Sequence, residues 1–147
     1  FEAFVRNFYK IEQKEYSVSR EDIYWDIEDE EPSKFLPKMQ TDISLESKKL
    51  NKKIIIDTKY KKQTLQKHFD KEEFHTGNLY ALYTYLKNVE QKGGLNINCE
   101  GILLYPTNGR EIHDKIPIKG HPVYVHTIDL NQPWQEIHKN LLEIIMR

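Results

Sequence analysis

The sequence predicts a single α/β domain in which helices flank a central mixed β-sheet. Three observations predict this fold class. A strand-turn-strand pattern covers residues 38–60, a nearly continuous apolar run covers 99–105, and segments of helical periodicity lie near both ends of the chain and at 78–91. The order helix, strands, helix, strands, helix is typical of a mixed α/β core.

Composition limits the chain to one domain, residues 1–147. With 38% hydrophobic and 12% aromatic residues it can bury a substantial core, but a second independent domain would not fit. The chain begins at Phe1 inside a helical pattern, so we expect a fragment of a longer protein. The single cysteine, Cys99, excludes an internal disulfide and suits a reducing cytoplasm. No membrane-length apolar run or export leader is visible, so we expect no membrane partner and a cytoplasmic location.

The first third of the chain supplies a helix, an edge strand and a loop. Residues 1–15 place apolar side chains at helical spacing and predict an amphipathic helix that faces the core. Residues 17–27 predict an edge strand that the charged residues 20–22 interrupt. Residues 28–37 are acidic and contain proline, which indicates a solvent-facing loop.

The central hairpin is predicted from strands at 38–46 and 53–60, joined by a lysine-rich turn. Its second strand begins with the isoleucine run 54–56 and then places two opposite charges, Asp57 and Lys59, where the strand enters the core. Because side chains alternate along a strand, these two charges project from the same face of the sheet.

The hairpin register sets Asp42 beside Asp57 and Lys59. Buried charges need partners or a function, because an unpaired buried charge costs several kcal/mol. Two carboxylates are hard oxygen ligands for Mg²⁺, and a lysine beside them can hold a metal-bound water and stabilise charge on a phosphate. These parts together indicate a phosphodiester hydrolase. The spacing is short and degenerate, so the alternative is a salt bridge between Asp42 and Lys59 with Asp57 solvated at the strand end.

The lysines of the hairpin are candidates for contacts with DNA. The net charge of −1 does not indicate a nucleic-acid-binding protein, but lysines crowd around the hairpin, where a basic rim could follow a phosphate backbone. Alternatively, they are ordinary solvated turn residues that protect a strand edge. The candidate DNA-binding residues are Lys48, Lys49, Lys52, Lys61 and Lys62.

The second half of the chain begins with the polar segment 61–76, which predicts a loop or short helix over the site. A helix follows at 78–91 and ends at Gly93. Its tyrosines could stack on bases or contact phosphate, although packing is their more ordinary role.

The remaining elements complete the sheet and its cover. The apolar run 99–105 predicts a central strand beside the isoleucine strand. Strands are predicted at 111–119 and 122–130, and a helix begins at Trp134 after a proline. The six histidines show no zinc-ligand spacing, and no phosphate-binding glycine loop is present in the sequence.

Several short segments resemble a known nuclease family. Thr41-Asp42 and Asp57-Thr58-Lys59 resemble the two halves of the PD-(D/E)XK nuclease motif, with threonine in place of the leading proline. More closely, nearly the whole chain resembles the C-terminal nuclease domain of McrC, the endonuclease subunit of modified-cytosine restriction systems. The segments that carry this resemblance are FEAFV (1–5), MQTDI (39–43), IIDTKY (55–60), NLYALYTYLKN (78–88) and GILLYP (101–106).

The resemblance implies a restriction-endonuclease-like fold and a Mg²⁺-dependent DNA endonuclease in which Mn²⁺ can substitute. It implies that Asp42 and Asp57 bind the metal with the main-chain carbonyl of Thr58, and that Lys59 positions the attacking water. Glu2 is the candidate for completing the site. Alternatively, Glu2 is a solvated acid at a helix start, where the helix dipole favours it.

The resemblance also implies partners. These are double-stranded DNA and an AAA+ GTPase subunit, McrB-like, that recognises modified cytosine and drives translocation. The chain departs from its relatives at Ala81, where they often carry glutamine. Two alternatives therefore stay open: a DNA repair or recombination nuclease of the same fold, or a catalytically weakened DNA-binding or scaffold module.

Overall fold

The computed structural model describes residues 1–28, 35–60, 76–107 and 111–146, which form an α/β fold around a six-stranded mixed sheet. The helices are α1 (Glu2–Glu12), α2 (Thr76–Val89) and α3 (Trp134–Ile145), and the strands are β1 (Ser17–Ser19), β2 (Asp22–Ile23), β3 (Met39–Gln40), β4 (Ile43–Ser47), β5 (Lys52–Thr58), β6 (Glu100–Thr107), β7 (His113–Ile116) and β8 (Val123–Asp129).

The sheet has the strand order β1-β4-β5-β6-β8-β7. The three central strands β5, β6 and β8 are parallel, whereas β1, β4 and β7 each run antiparallel to their neighbour. The predicted central strand beside the isoleucine strand is confirmed as β6. Parallel neighbours need a crossover connection, and α2 lies in the one between β5 and β6. The restriction-endonuclease-like α/β fold predicted from the sequence is therefore observed.

Helices cover both faces of the sheet. On one face Ile54 and Ile56 pack with residues of α1 and α3, and on the other Ile55 packs with residues of α2. Because both faces are covered, the central strands are apolar on both sides. A close approach brings α2 onto β6, where a Cβ at Gly101 would lie 3.0 Å from side-chain atoms of Leu82 and Leu86.

Three predicted boundaries are wrong. The strand predicted at 38–46 is broken by a bend at 41–42, so that β3 pairs with β2 in a separate two-stranded sheet and β4 joins the main sheet. The strand predicted at 17–27 is divided in the same way between β1 and β2. The first helix ends at Glu12, because the chain must turn there to enter β1.

The helix predicted at 78–91 is observed as α2, although it begins at Thr76 and its end is continued by a 3₁₀ turn at Glu90–Lys92. The loop or short helix predicted at 61–76 lies, apart from Thr76, outside the described residues. No helix in the described parts of the chain is long and apolar enough to span a membrane.

Candidate active site

The end of β5 places a carboxylate and an ammonium group together. Asp57 is buried, with 5% of its surface exposed, and its Oδ2 lies 3.1 Å from Nζ of Lys59. The main-chain nitrogen of Lys59 donates to the carbonyl oxygen of Leu104 at 2.9 Å, which extends the pairing with β6 beyond the last residue of β5. Both side chains project from the same face, as strand alternation requires.

Asp42 lies in the bend between β3 and β4 and reaches across to the same strand end. Its Oδ2 accepts hydrogen bonds from the main-chain nitrogen and the hydroxyl of Thr58, each at 2.9 Å. The register of β4 against β5 pairs Ile43 with Ile56 and so continues toward Asp42 beside Asp57. The structure thus brings Asp42, Asp57 and Lys59 together.

The alternative arrangement, with Lys59 paired to Asp42 and Asp57 solvated, does not match this geometry. The ion pair forms between Lys59 and Asp57, and Asp57 is the buried carboxylate.

The electrostatics of the site reflect two carboxylates that share one lysine. Burial raises the pKa of Asp57 to about 7, Lys59 opposes this rise, and the nearby carboxylate of Asp42 adds to it. Burial alone would lower the pKa of Lys59, but the Asp57 carboxylate outweighs that effect and the pKa is raised. Lys59 is therefore charged at neutral pH and faces two carboxyl groups.

A divalent cation fits this donor set. Oδ2 of Asp57 is buried, and the group that compensates it is the Lys59 ammonium at 3.1 Å. Among the described residues no group of three or more His, Cys, Asp and Glu side chains is arranged to hold a metal ion. Mg²⁺ does not require one, because it commonly binds through one or two carboxylates and keeps several waters.

Tyr85 of α2 is a neighbour of the site that sequence reasoning did not single out from the other tyrosines. Its pKa is raised by burial and by the carboxylates of Asp57 and Asp42, which shows that its hydroxyl lies within electrostatic reach of both. Tyr85 lies four residues after Ala81, so the two share a helix face. That spacing was the available signal, because the helix face that carries Ala81, already singled out in the sequence, also carries this tyrosine.

Glu2 lies near the site but in a different environment from the two aspartates. Its Oε1 is 2.8 Å from Nη1 of Arg6 and 3.5 Å from Nε of Arg20. Arg6 also donates to the main-chain carbonyl oxygen of Asp42 at 3.2 Å. Glu2 thus lies in the first turn of α1, 38% exposed and paired with two arginines, and its role in metal binding stays a prediction.

The predicted basic rim around the site is wrong for the lysines of the hairpin turn. Lys48 and Lys49 are exposed in that turn, and Lys52 at the start of β5 pairs with Glu100 at 3.5 Å. The five residue steps along β5 from Lys52 to Asp57 span about 17 Å at the rise of a strand. These lysines therefore lie at the opposite end of β5 from Asp57. Lys61 and Lys62 lie outside the described residues, and DNA binding by any of the five stays a prediction.

A second charged cluster, which sequence reasoning missed, lies near the start of β5. Lys53 is buried, and its Nζ lies 2.7 Å from Oε1 of Glu21. Glu21 also accepts hydrogen bonds from Ser44 at 2.8 Å and from Lys92 at 2.9 Å. Lys53 donates in addition to Oδ1 of Asn96. Every charge in this cluster has a partner.

Comparison with known proteins identifies the family. A family model described as the McrBC 5-methylcytosine restriction system component matches residues 1–106. The chain is also 32% identical over 146 residues to the type IV methyl-directed restriction enzyme EcoKMcrBC of Escherichia coli strain K12; the alignment covers 98% of this chain and 41% of the relative. The chain thus spans about two fifths of the length of that relative. It belongs to the McrC family of 5-methylcytosine restriction system components.

Proposed function

We propose that this protein is the metal-dependent DNA endonuclease component of a 5-methylcytosine restriction system. The observation that carries the proposal is the meeting of Asp42, Asp57 and Lys59 at one strand end, where the buried Asp57 carboxylate has the Lys59 ammonium and a second carboxylate beside it. Such an arrangement costs stability unless a cation or substrate compensates it. Family membership supports restriction over DNA repair or recombination, and the presence of all three side chains supports catalysis over a purely scaffolding role.

Each side chain has a distinct part in phosphodiester hydrolysis. Asp42 and Asp57 would hold Mg²⁺ or Mn²⁺, with the main-chain carbonyl of Thr58 as a further oxygen ligand. The bound ion would supply Lewis-acid stabilisation of the charge that develops on the phosphate. The hydrogen bonds from Thr58 to Oδ2 fix the orientation of the Asp42 carboxylate.

Lys59 would orient the attacking water and stabilise negative charge on the phosphate, because its pKa is raised and it keeps its proton. The water would displace the 3′-side oxygen in line. Burial of Asp57 places these charges where water screens them little, which strengthens their effect on the reacting phosphate.

The substrate and partner follow from the family. We propose double-stranded DNA that carries 5-methylcytosine as the substrate, and an AAA+ GTPase, McrB-like, as the partner that recognises the modified base and drives translocation. Cleavage is therefore expected to require GTP hydrolysis by that partner.

The test is cleavage of methylated and unmethylated DNA by the full-length protein with its GTPase partner and Mg²⁺. Asp57→Asn and Lys59→Gln are expected to lose cleavage, whereas Lys139→Gln, on the surface of α3, should match the wild type. Cleavage retained in Asp57→Asn would contradict the proposed active site. Cleavage that ignores methylation and GTP would instead favour a repair or recombination nuclease.

A further inference from the structure

The bend at Thr41 and Asp42 lies outside the strands and is held by two arginines. Arg6 of α1 donates from Nη1 to the carbonyl oxygen of Asp42 at 3.2 Å. Arg20, which follows β1, donates from Nε to the carbonyl oxygen of Thr41 at 3.4 Å. The main chain that presents the Asp42 side chain is therefore fixed partly by residues from outside the hairpin.

Glu2 joins the two arginines. Its Oε1 lies 2.8 Å from Nη1 of Arg6, in an i,i+4 pair on α1, and 3.5 Å from Nε of Arg20. The Arg6 side chain is 17% exposed and that of Arg20 is 41% exposed, so solvent screens the Arg6 contacts less. Arg6 is the central member of this cluster because it contacts both Glu2 and the carbonyl of Asp42.

We propose that Arg6 is a positioning residue for Asp42, with Glu2 as the anchor that holds the Arg6 guanidinium and Arg20 as a weaker second support. This inference rests on the proposed nuclease function, in which Asp42 is a metal ligand. Asp42 is held at its main-chain carbonyl by Arg6 and at its carboxylate by Thr58. Glu2 therefore acts through Arg6, rather than as a metal ligand itself.

Small displacements of Asp42 matter because Mg²⁺ demands near-ideal octahedral geometry. Functional groups generally have to be held within about 0.5 Å of their productive positions. Residues that orient a metal ligand without touching the metal typically change metal affinity or activity by about 10- to 100-fold. A bend without strand pairing depends on such support more than a residue inside a sheet does.

The experiment compares Arg6→Gln, Arg6→Lys, Glu2→Gln and the control Lys10→Gln, an exposed cation on the same helix, in the full-length protein. Mn²⁺ binding is measured by calorimetry, and cleavage with the GTPase partner is measured against Mg²⁺ concentration. Arg6→Gln is expected to weaken metal binding about tenfold, and saturating Mg²⁺ should largely restore the maximal rate. Arg6→Lys should weaken binding less, and Lys10→Gln should not change it.

The double variant tests whether Glu2 acts through Arg6. Glu2→Gln should weaken metal binding by a factor similar to that of Arg6→Gln, and the double variant should weaken it little further, because both changes remove one support. Loss of binding in Glu2→Gln with wild-type binding in Arg6→Gln would show that Glu2 is a ligand and would overturn the proposal.

Two further outcomes separate a positioning role from a purely structural one. A lower unfolding temperature in Arg6→Gln with unchanged metal affinity of the folded protein would show that Arg6 only stabilises the fold and would overturn the proposal. If Arg6→Gln does not fold, the same measurement is made on Arg6→Lys. Unchanged metal affinity in Arg6→Lys would also overturn the proposal.

Asp57→Asn tests the proposed function separately from the role of Arg6. Full cleavage in that variant would contradict the nuclease site itself. Lost cleavage in Asp57→Asn, together with wild-type metal binding in Arg6→Gln, would contradict only the positioning role of Arg6.

Discussion

A carboxylate–lysine pair with one buried member lies near each end of strand β5, and the two pairs differ in how their charges are compensated. Near its start, Lys53 pairs with Glu21, which also accepts hydrogen bonds from Lys92 and Ser44. At its end, Asp57 has one lysine and a second carboxylate beside it.

The pKa values of the two carboxyls move in opposite directions for this reason. Burial acts to raise the pKa of Glu21, but hydrogen bonds from Lys53, Lys92 and Ser44 outweigh it and lower the pKa. For Asp57 burial prevails, and the pKa rises to about 7. A carboxylate surrounded by donors keeps its charge in the folded protein, whereas a buried one with a second carboxylate beside it is suited to bind a cation.

The largest expected effect is on DNA cleavage, when the carboxylate at each end of β5 is replaced in turn by its amide. Asp57→Asn should reduce DNA cleavage by about 10³-fold or more, because it removes a charge that acts on the transition state. Glu21→Gln should leave the cleavage rate of the folded protein within a few-fold of the wild type. Single-turnover cleavage by the full-length protein with its partner measures the rates of both variants. Equal losses of rate would contradict the proposed difference between the two ends of β5.

The effects on stability should be in the reverse order, with the larger loss in Glu21→Gln than in Asp57→Asn. Glu21→Gln removes the charge that compensates the buried Lys53, which should lower the free energy of unfolding by about 3 kcal/mol. Chemical denaturation in the absence of divalent metal measures this change. Lys38→Gln is the matched control, because its ion pair with Asp22 is exposed and at 3.8 Å should contribute little. A loss of unfolding free energy as small as in that control would show that the Glu21 charge does not stabilise the fold.

The pH dependence of stability should also differ between the two ends. In the metal-free protein, folded Asp57 binds its proton more tightly than the unfolded chain does, so its contribution is fully present below about pH 4 and is lost as pH rises to about 7. Asp57→Asn should remove this decline and be more stable than the wild type near pH 8. Glu21 contributes in the opposite sense, because its stabilisation is lost only as pH falls below its usual pKa of 4.5.

Thermal unfolding in the presence of a chelator, across this pH range, measures the two contributions. A wild-type curve that rises with pH between about 5 and 8, with the same shape in Asp57→Asn, would contradict the raised pKa of Asp57.

The smallest expected effect concerns α2, which packs on β6 and, with Ile55 of β5, in one core cluster. Gly101→Ala would bring a Cβ to 3.0 Å from side-chain atoms of Leu82 and Leu86, so these side chains must move by a few tenths of an ångström. We expect a loss of stability of about 1 kcal/mol and a similarly small loss of cleavage. Denaturation and cleavage assays on this variant test whether the two ends of β5 depend equally on the packing of α2. A large loss of cleavage with unchanged stability would show that α2 supports only the Asp57 end.

The sequence predicted the Asp57 end of β5 better than its start, for physical reasons. Strand alternation fixes Asp57 and Lys59 on one face, and hairpin pairing is local, so Asp42 could be placed beside them. The contact between Glu21 and Lys53 depends on how β2 and β3 fold back as a separate sheet, which no local pattern specifies.

The prediction that the turn lysines surround the site was wrong for a simpler reason. Lys48 and Lys49 are close to Asp57 in sequence, but an extended strand carries the chain about 3.3 Å per residue away from the turn. Residues that are near in sequence along a strand are therefore far apart in space. The Glu2–Arg6 pair could have been predicted from its i,i+4 spacing, but its contact with the Asp42 carbonyl could not, because that depends on the packing of α1.

The most direct test of the proposed site is Mg²⁺ and Mn²⁺ binding by calorimetry to the full-length protein, its Asp57→Asn variant and its Glu21→Gln variant. We predict that the wild type and Glu21→Gln bind the metal and that Asp57→Asn does not. Binding that survives in Asp57→Asn, or that is lost equally in Glu21→Gln, would contradict the assignment of the metal to the end of β5.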